Sequence, residues 1–245
     1  MIKINLLKLI IDIGNTRIKL ALFLEKKIVR SQIVEEFSVL SINSFCKNDK
    51  FSSSIISSVR PLNKKEKDLV NSMNSVVLDK NTPLPIKSNY KSSVSGNNSD
   101  RISSVIGASY LFPNKNIWVF DAGTCLTMDF IDKEKIYHGG RITLGLNMRY
   151  RALNHFTSTL PMLSMQKDSF FKGNNTKDSI ISGVQQGILS EVRTLISDYR
   201  KQKNDFIVVF TGGDYLFFEK ELKSSIFADP YLVLKGLNEI LDFNE

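Results

Sequence analysis

The sequence has few cysteines and no long apolar run. Cys46 and Cys125 are the only cysteines among 245 residues, and their spacing suits neither a disulfide framework nor a metal site, which predicts a reducing compartment and hence the cytoplasm. No apolar run approaches the ~18 residues typical of a membrane-spanning helix. The apolar amino terminus is split by Lys8, closed by Asp12 and followed by no small-residue cleavage site, so it predicts a strand and not a signal peptide. We therefore expect no membrane partner.

Histidine is also scarce, and two familiar catalytic motifs are missing. His138 and His155 are the only histidines and neither has metal-ligand spacing, so both are expected at the surface or in the core. The GxSxG motif of serine hydrolases is absent, as is the Walker A loop of many nucleotide-binding proteins. The sequence gives no support to a hydrolase with a serine nucleophile.

The charge is biased towards the basic side, but it is not concentrated in one place. The formal net charge is +8 and the sequence pI is about 9.3. The lysines are scattered and are not interleaved with aromatic residues, as a stacking surface for nucleic acid would require. A solvated basic surface is expected, an anionic small substrate stays open, and no nucleic-acid partner is predicted.

An internal repeat organises the chain. The stretch LIIDIGNTRIKLALF, residues 9–23, returns as WVFDAGTCLTMDFI, residues 118–131, so that Asp12 matches Asp121 and Gly14 matches Gly123. Each copy predicts a β-hairpin whose first strand ends on an aspartate, with glycine supplying a backbone conformation that other residues resist. Two related halves follow from this repeat, with predicted domains at residues 1–114 and 115–245.

Strands and helices alternate along the rest of the chain, which predicts an α/β fold. Strands are predicted in KIVRSQIV, in residues 52–59 and in SVVLD, helices in residues 64–74 and 100–111, and a Pro-, Ser- and Asn-rich loop in residues 82–99. Apolar residues at four-residue steps from Ile180 to Tyr199 predict a long helix that Thr176 or Asp178 would cap. Residues 205–218 predict a strand, a glycine turn and the start of a helix.

The turns carry the chemistry. A strand that ends in aspartate beside glycine offers backbone N–H groups to an anion, and its carboxylate can hold a cation or the water around it. In DIGNTRIK, Asn15, Thr16 and Lys19 add donors and a positive charge that suit phosphate groups. Thr124 repeats this pattern in the second copy, and the glycine pair of FTGGD would let a flat ligand approach the backbone. One copy alone could be an ordinary hairpin turn, but two copies with a third glycine turn favour a nucleotide.

This set of three turns resembles the superfamily of actin, hexokinase and the Hsp70 ATPase domain, in which ATP lies between two ribonuclease-H-like halves and no Walker A loop is used. A narrower resemblance rests on the blocks DIGNTRIK, SDRISSVIGA, DAGTCLTMDFI, GGRITLGLNMRYRAL, NTKDSIISGVQQG and TGGD, which stand in the order and approximate spacing of type III pantothenate kinase. The resemblance implies phosphorylation of pantothenate to 4'-phosphopantothenate, the first step of coenzyme A synthesis, with ATP, Mg²⁺ and a monovalent cation, K⁺ or NH₄⁺.

The same resemblance implies roles for individual residues. Asp100 would be the general base that takes the proton of the pantothenate hydroxyl, and Asp121 would be the ligand of the monovalent cation. The residues that would bind ATP are Asp12, Ile13, Gly14, Asn15, Thr16, Arg17, Ile18, Lys19 and Thr124. The residues that would bind pantothenate are Tyr90, Asn98, Ser99, Asp100, Arg101 and Thr176. The family also implies a homodimer with a shared pantothenate pocket, and residues 136–163 and the following helix contain enough apolar side chains for its interface. A monomer with a larger core would use these side chains equally well.

Alternatives stay open at this stage. Asp100 could cap the helix that follows it, Arg101 could be a surface residue, Tyr90 a loop anchor and Thr176 a helix cap. The loop before Asp100 departs from the family pattern, because Ser93 stands where proline is expected and Gly96 is displaced. A phosphohydrolase of the same superfamily, or a non-catalytic nucleotide-binding relative acting as a transcriptional accessory protein, are the other functions to consider.

Overall fold

The computed structural model describes residues 7–90, 98–167, 171–202, 205–222 and 226–245. Ser93, Gly96 and Asn97, where the loop departs from the family pattern, lie outside the described residues. The strands are β1 (Leu7–Ile13), β2 (Ile18–Leu24), β3 (Lys27–Val34), β4 (Phe51–Ser58), β5 (Val76–Val77), β6 (Lys87–Ser88), β7 (Ile117–Ala122), β8 (Cys125–Ile131), β9 (Ile136–Leu144), β10 (Ile207–Thr211) and β11 (Phe227–Ala228). The helices are α1 (Val39–Cys46), α2 (Lys64–Ser72), α3 (Ser99–Leu111), α4 (Leu146–His155), α5 (Thr176–Gln202), α6 (Tyr215–Leu222) and α7 (Leu232–Asn244).

The chain forms two compact units. Unit 1 contains Met1–Asn114, Ile131–Gly139 and Tyr231–Glu245, and unit 2 contains Lys115–Phe130 and Gly140–Pro230. The first change of unit, at Asn114, falls at the predicted boundary, whereas the hairpin tip at residues 131–139 and helix α7 belong with unit 1 and not with the carboxyl-terminal half. Helix α7 belongs to unit 1 because it packs against α3 and β1.

Unit 1 is built on a sheet with the strand order β3-β2-β1-β4-β5. Strand β1 is antiparallel to β2, which confirms the first predicted hairpin, and parallel to β4. Every second residue of β1 and β2 points into a core that α1 and α2 cover. Its buried members include Leu9, Ile11, Ile13, Leu20, Leu22, Phe45 and Val70.

Helix α3 is buried on nearly all of its sides. The predicted apolar face is present, but small serines fill the remaining faces and satisfy their hydroxyl groups within the helix: Ser103 donates to the carbonyl of Ser99 at 2.7 Å and Ser104 to that of Arg101 at 2.9 Å. Helix α7 packs closely, since a Cβ on Gly236 would lie 1.7 Å from the carbonyl oxygen of Ser103. This close approach needs a glycine.

The second sheet has the order β11-β10-β7-β8-β9-β6, and β10 is parallel to both β7 and β11. The second predicted hairpin, β7 followed by β8, is confirmed. The rings of Phe120, Phe210 and Phe218 stack at centroid distances of 4.7 and 4.9 Å in the core, against the apolar face of α5. Asn175, and not Thr176 or Asp178, caps α5, because its Oδ1 accepts the N–H of Asp178 at 2.9 Å.

Within the part of the chain that the structure describes, no helix combines the length and the apolar character needed to cross a membrane. The sequence did not predict α1, α4, α7, β9, β11 or β6, and β6 lies within the predicted loop at residues 82–99. The helices and strands that were predicted are present, with ends that differ by a few residues.

Candidate functional site

The first acidic turn, residues 12–19, joins β1 to β2 in unit 1. Asp12 lies opposite Lys19 on β2 and opposite Ser57 on β4. The N–H of Gly14 donates to the carbonyl of Arg17 at 3.0 Å and closes the turn. A Cβ on Gly14 would lie 2.9 Å from the same oxygen, so glycine is needed here for close approach. Its φ is not positive, so the expectation of an unusual backbone conformation is wrong at this position.

The predicted ATP ligands of this turn divide into two groups. Ile13 and Ile18 are buried in the core, so only their backbone could contact a nucleotide. Asn15, Thr16 and Arg17 are exposed at the tip of the turn. The exposed side chains and the N–H groups between them form the part of the turn that can receive an anion.

Asp12 is a buried carboxylate in an unfavourable place for its charge. Its pKa is raised to about 6, mainly by burial; Lys19 opposes the shift and the nearby carboxylate of Asp100 adds to it. Its Oδ1 accepts no hydrogen bond from any described residue. A buried carboxylate that lacks donors on one oxygen is suited to a cation.

Asp100 is placed near Asp12 by a serine pair. Ser57, at the end of β4, donates to the hydroxyl of Ser99 at 2.9 Å, and both serines are fully buried. This bond fixes the start of α3 against the strand next to Asp12. The half-buried carboxylate of Asp100 then lies in the first turn of α3 and accepts the N–H of Arg101 at 2.8 Å.

The alternative that Asp100 is the N-cap of α3 is wrong. The helix starts at Ser99, and its N-cap residue is Asn98, which makes no side-chain cap bond. Asp100 satisfies one N–H of the first turn, where a negative charge is favoured by the helix dipole. It does so while it interacts with Asp12.

Tyr90 and Arg101 form the second group in unit 1. Arg101 is buried, with only 4% of its surface exposed, which contradicts its alternative as a surface residue. Its guanidinium carbon lies 5.4 Å from the centre of the Tyr90 ring, and Nη1 donates to the tyrosine hydroxyl at 3.5 Å. Asn98 is also buried, and the Ser99 side chain is directed to Ser57. Among the predicted pantothenate ligands, five residues therefore share unit 1: Tyr90, Asn98, Ser99, Asp100 and Arg101.

The second acidic turn, residues 121–124, lies in unit 2 between β7 and β8. The N–H of Gly123 donates to the carbonyl of Cys125 at 2.9 Å. A Cβ on Gly123 would meet nothing nearer than 3.7 Å and its φ is not positive, so the predicted need for glycine is wrong here. Thr124 is exposed next to it, where its hydroxyl can meet a phosphate. Thr127, three residues further along, is buried in β8.

The glycine turn, residues 211–214, packs directly on the second acidic turn. Gly212 has a φ of +93°, and a Cβ there would lie 2.5 Å from Oδ1 of Asp121 and 2.4 Å from the carbonyl oxygen of Ala122. The N–H of Asp214 donates to the same carbonyl at 2.9 Å. That this glycine pair lets a flat ligand approach the backbone stays a prediction, and the close approach at Gly212 is to Asp121 and Ala122.

Gly145 is a functional candidate that the sequence reasoning did not assign. Its N–H donates to the carbonyl of Thr124 at 3.2 Å, and a Cβ there would lie 2.3 Å from the carbonyl oxygen of Gly123. It is also the N-cap residue of α4, so this helix begins against the second acidic turn. The glycines of GGRITLG were the available signal, but only the structure reveals what they approach.

Thr176 is the first residue of α5, exposed, and belongs to unit 2. It lines a cavity of about 710 Å³ together with Leu144, Arg149, Leu153, Leu160 and Ile180. Arg149 is held at this cavity by its hydrogen bond to the carbonyl of Leu144 at 2.9 Å and by an ion pair with Glu191.

The two histidines are both exposed, as the surface alternative predicted. His138 pairs with Asp132 at 2.7 Å in the turn between β8 and β9, and hydrogen bonds from His138 and from two backbone N–H groups outweigh burial and lower the pKa of Asp132. Among the described residues, no three His, Cys, Asp or Glu side chains gather as a metal site. A cation here would therefore be held by single carboxylates, ligand oxygens and water, as Mg²⁺ often is.

Comparison with known proteins agrees with this geometry. The family profile for type III pantothenate kinase matches residues 8–198. A type III pantothenate kinase from Phocaeicola vulgatus is 38% identical over 241 residues, 98% of this chain and 99% of that protein, and one from Bacteroides fragilis is 39% identical over 240 residues, 97% and 98% of the two chains.

Solved structures show the same fold at lower identity. A conserved protein of the Baf family from Campylobacter jejuni has a TM-score of 0.61 at 22% identity and covers 96% of this chain and 98% of its own. A ROK family glucokinase from Streptomyces griseus, in complex with glucose and AMPPNP, has a TM-score of 0.50 at 11% identity, over 97% and 98% of the two chains. The predicted fold class, α/β with actin-like ATPase halves, is confirmed.

Proposed function

Because this chain belongs to the type III pantothenate kinase family, we propose that Asp100 is the general base of its reaction and that Asp12 and Asp121 hold its cations. The protein is a kinase that uses ATP to phosphorylate pantothenate, in the synthesis of coenzyme A. The observation that supports our assignment best is the interaction of Asp100 with the buried Asp12.

The proposed role of Asp100 is to orient the pantothenate hydroxyl and accept its proton. Phosphoryl transfer requires little covalent chemistry from a protein, so positioning and neutralisation of charge supply most of the catalysis, and one carboxylate suffices for the hydroxyl. Asp100 is half-buried, close to the first acidic turn, and fixed by the Ser57–Ser99 bond. A carboxylate held in this way has a defined orientation.

Asp12 is our proposed contact for Mg²⁺. The fit rests on its buried Oδ1, which receives no hydrogen bond from the described residues, and on the exposed donors of the same turn. Mg²⁺ prefers one or two carboxylates together with phosphate oxygens and water, and when bound it would neutralise charge on the phosphates. The other predicted contacts of the turn, among them Lys19 and the backbone of residues 13–18, would bind ATP, as would the hydroxyl of Thr124.

Asp121 is our proposed ligand for K⁺ or NH₄⁺. Its carboxylate lies against the bare backbone of Gly212, where no side chain could fit. The hydroxyl of Thr211, opposite Asp121 on β10, is buried and makes no hydrogen bond within the described residues. An oxygen-rich corner of this kind suits a cation with weak geometric demands.

Tyr90, Asn98, Ser99 and Arg101 would bind pantothenate in unit 1. Arg101 supplies fixed hydrogen-bond donors and a permanent charge beside the proposed base. The burial of Ser99 and its bond to Ser57 favour a role in placing Asp100 over direct contact with the substrate. Thr176 is also proposed as a pantothenate ligand, on the family resemblance alone.

A homodimer is proposed from an exposed apolar surface. The exposed fractions of Phe156 and Met162 are 82% and 53%. Both residues stand in the sequence between Leu144 and Thr176, which line the cavity described above. Large exposed apolar side chains beside an open cavity are typical of an interface, and the family implies a second copy of this chain as its occupant. A cytoplasmic location and the lack of a nucleic-acid partner remain predictions from composition.

One assay tests the function as a whole. Purified protein is incubated with ATP, Mg²⁺, K⁺ or NH₄⁺, and pantothenate, and formation of phosphopantothenate is followed. Product formation is the expected result. ATP hydrolysis without product would support the phosphohydrolase alternative, and neither reaction would support the non-catalytic one.

A further inference from the structure

The residues just before Tyr90 are hydrogen-bonded to strand β9 and to the turn before it. The N–H of Lys87 donates to the carbonyl of Lys135 at 3.0 Å, and the N–H of Asn89 donates to the carbonyl of Tyr137 at 2.9 Å. Between these two bonds, β6 pairs with β9 in parallel. The position of the Tyr90 backbone therefore depends on β9, which is distant in sequence.

Gly139 leaves the space that the Tyr90 ring occupies. Its φ is +81°, and a Cβ built on it would lie 2.6 Å from Cδ2 and 3.0 Å from Cε2 of Tyr90. Carbon atoms do not approach so closely, so any side chain at this position would displace the ring. Tyr137, two residues earlier on the same face of β9, supports the ring from beside it, with the two centroids 5.6 Å apart and the planes tilted by 55°. We call Tyr137 and Gly139 the β9 platform.

The contact continues from the β9 platform to Arg101. The Tyr90 ring contacts the platform and also lies near the guanidinium group, whose carbon is 5.4 Å from the ring centre. This separation is within the range of cation–π attraction. A new Cβ on Gly139 would shift the Tyr90 ring. Because Arg101 packs against this ring, the shift would also change the position of the guanidinium group.

We propose that Gly139 is a positioning residue for pantothenate recognition, because its bare backbone sets the place of Tyr90 and, through Tyr90, that of Arg101. This inference rests on the proposed function of Tyr90 and Arg101 as pantothenate ligands. Gly139 itself touches neither substrate. We expect its effect on pantothenate and not on ATP, since the platform acts on the Tyr90 ring.

The test is a double-mutant cycle with steady-state kinetics. Gly139→Ala is expected to raise the pantothenate KM about tenfold while kcat and the ATP KM change less than about threefold. Tyr90→Ala is expected to raise the pantothenate KM as well. In the Tyr90→Ala background, Gly139→Ala should add almost nothing, because the ring that it displaces is no longer there.

Two further variants separate positioning from folding. Gly187→Ala is the matched control, since a Cβ on Gly187 meets nothing within 4 Å, and its pantothenate KM should equal that of the wild type. If Gly139→Ala unfolds because of its positive φ, Tyr137→Leu removes the other half of the platform without that strain, and Tyr137→Phe should restore a normal pantothenate KM. Thermal unfolding of each variant identifies losses of stability.

The outcomes distinguish the positioning role of Gly139 from the proposed role of Tyr90 in binding pantothenate. If Tyr90→Ala leaves the pantothenate KM unchanged, the assignment of Tyr90 to pantothenate is wrong and the positioning role is lost with it. If Tyr90→Ala raises this KM but the platform variants do not, or if they raise it equally with and without Tyr90, only the positioning role of Gly139 is overturned.

Discussion

The carboxylates of Asp12 and Asp100 interact within unit 1 although they are 88 positions apart in sequence; burial is the main cause of the raised Asp12 pKa of about 6, and Asp100 adds to it. The pair arises from sheet register, because Asp12 lies opposite Ser57 and the hydroxyl of Ser57 holds Ser99. Burial and a nearby like charge both disfavour the ionised form of Asp12, so a cation bound there would favour its charged state.

Asp12→Asn is expected to stabilise the ligand-free protein at about pH 8. A buried acid with a raised folded-state pKa contributes its full stability below its unfolded pKa and loses it as the pH rises through about 6. At about pH 8 the ionised Asp12 lowers the free energy of unfolding of the wild type by at most about 3 kcal/mol for a pKa shift of this size. The asparagine variant does not lose this stability. Unfolding in urea at about pH 5 and pH 8 measures the difference.

The gain should shrink at the lower pH, and the variant should lose kinase activity at both. An equal gain at the two pH values would contradict ionisation of Asp12 as the cause. An unchanged activity would contradict its proposed role in binding the cation.

Gly236→Ala should destabilise unit 1 strongly. The new Cβ would lie 1.7 Å from the carbonyl oxygen of Ser103, so α7 must move away from α3, at a cost of about 3 kcal/mol or more. Gly187→Ala, in a helix with open space around it, should be neutral or stabilise by up to about 1 kcal/mol. Urea unfolding of the two variants side by side tests whether the α3–α7 contact is as close as described.

Asp121→Asn should weaken activation by monovalent cations. Loss of the negative charge is expected to raise the K⁺ or NH₄⁺ concentration for half-maximal activity about tenfold or more. Asp205→Asn is the control, because that carboxylate is also in unit 2 but lies at the surface with Lys115. If Asp121→Asn shows the wild-type dependence on K⁺, the proposed cation site at Asp121 is wrong.

Phe156→Glu should dissociate the proposed dimer. A charge in an apolar interface is left without a partner, so sedimentation should report a monomer where the wild type is a dimer. Leu216→Glu, at another exposed apolar position of unit 2, should leave the assembly unchanged. If the pantothenate pocket is shared, the monomer should also lose activity, and an active monomer would reject the shared pocket.

Local pattern in the sequence was enough to predict the two hairpins, α2, α3, α5 and the strand-turn-helix at residues 205–218. Alternating apolar residues and glycine turns determine these elements within short windows. The cap of α5 was assigned to Thr176 or Asp178 because several residue types can cap, and only the geometry selects Asn175.

Contacts between distant segments could not be predicted. The packing of α7 on α3 depends on Gly107 and Gly236, two glycines that look ordinary in their own windows. The same holds for Gly139, which meets Tyr90 only because β6 pairs with β9. The role of glycine was predicted for the two acidic turns, yet the positive φ is found at Gly139 and Gly212 instead.

The most direct test of the account is the kinetics of Asp100→Asn. Loss of the proposed general base should lower kcat by about 100-fold or more, while ATP binding, measured by calorimetry, stays within a few fold of the wild type. Asp68→Asn on the exposed face of α2 should behave as the wild type. A variant of Asp100 that turns over pantothenate at the normal rate would contradict the central claim that this carboxylate receives the substrate proton.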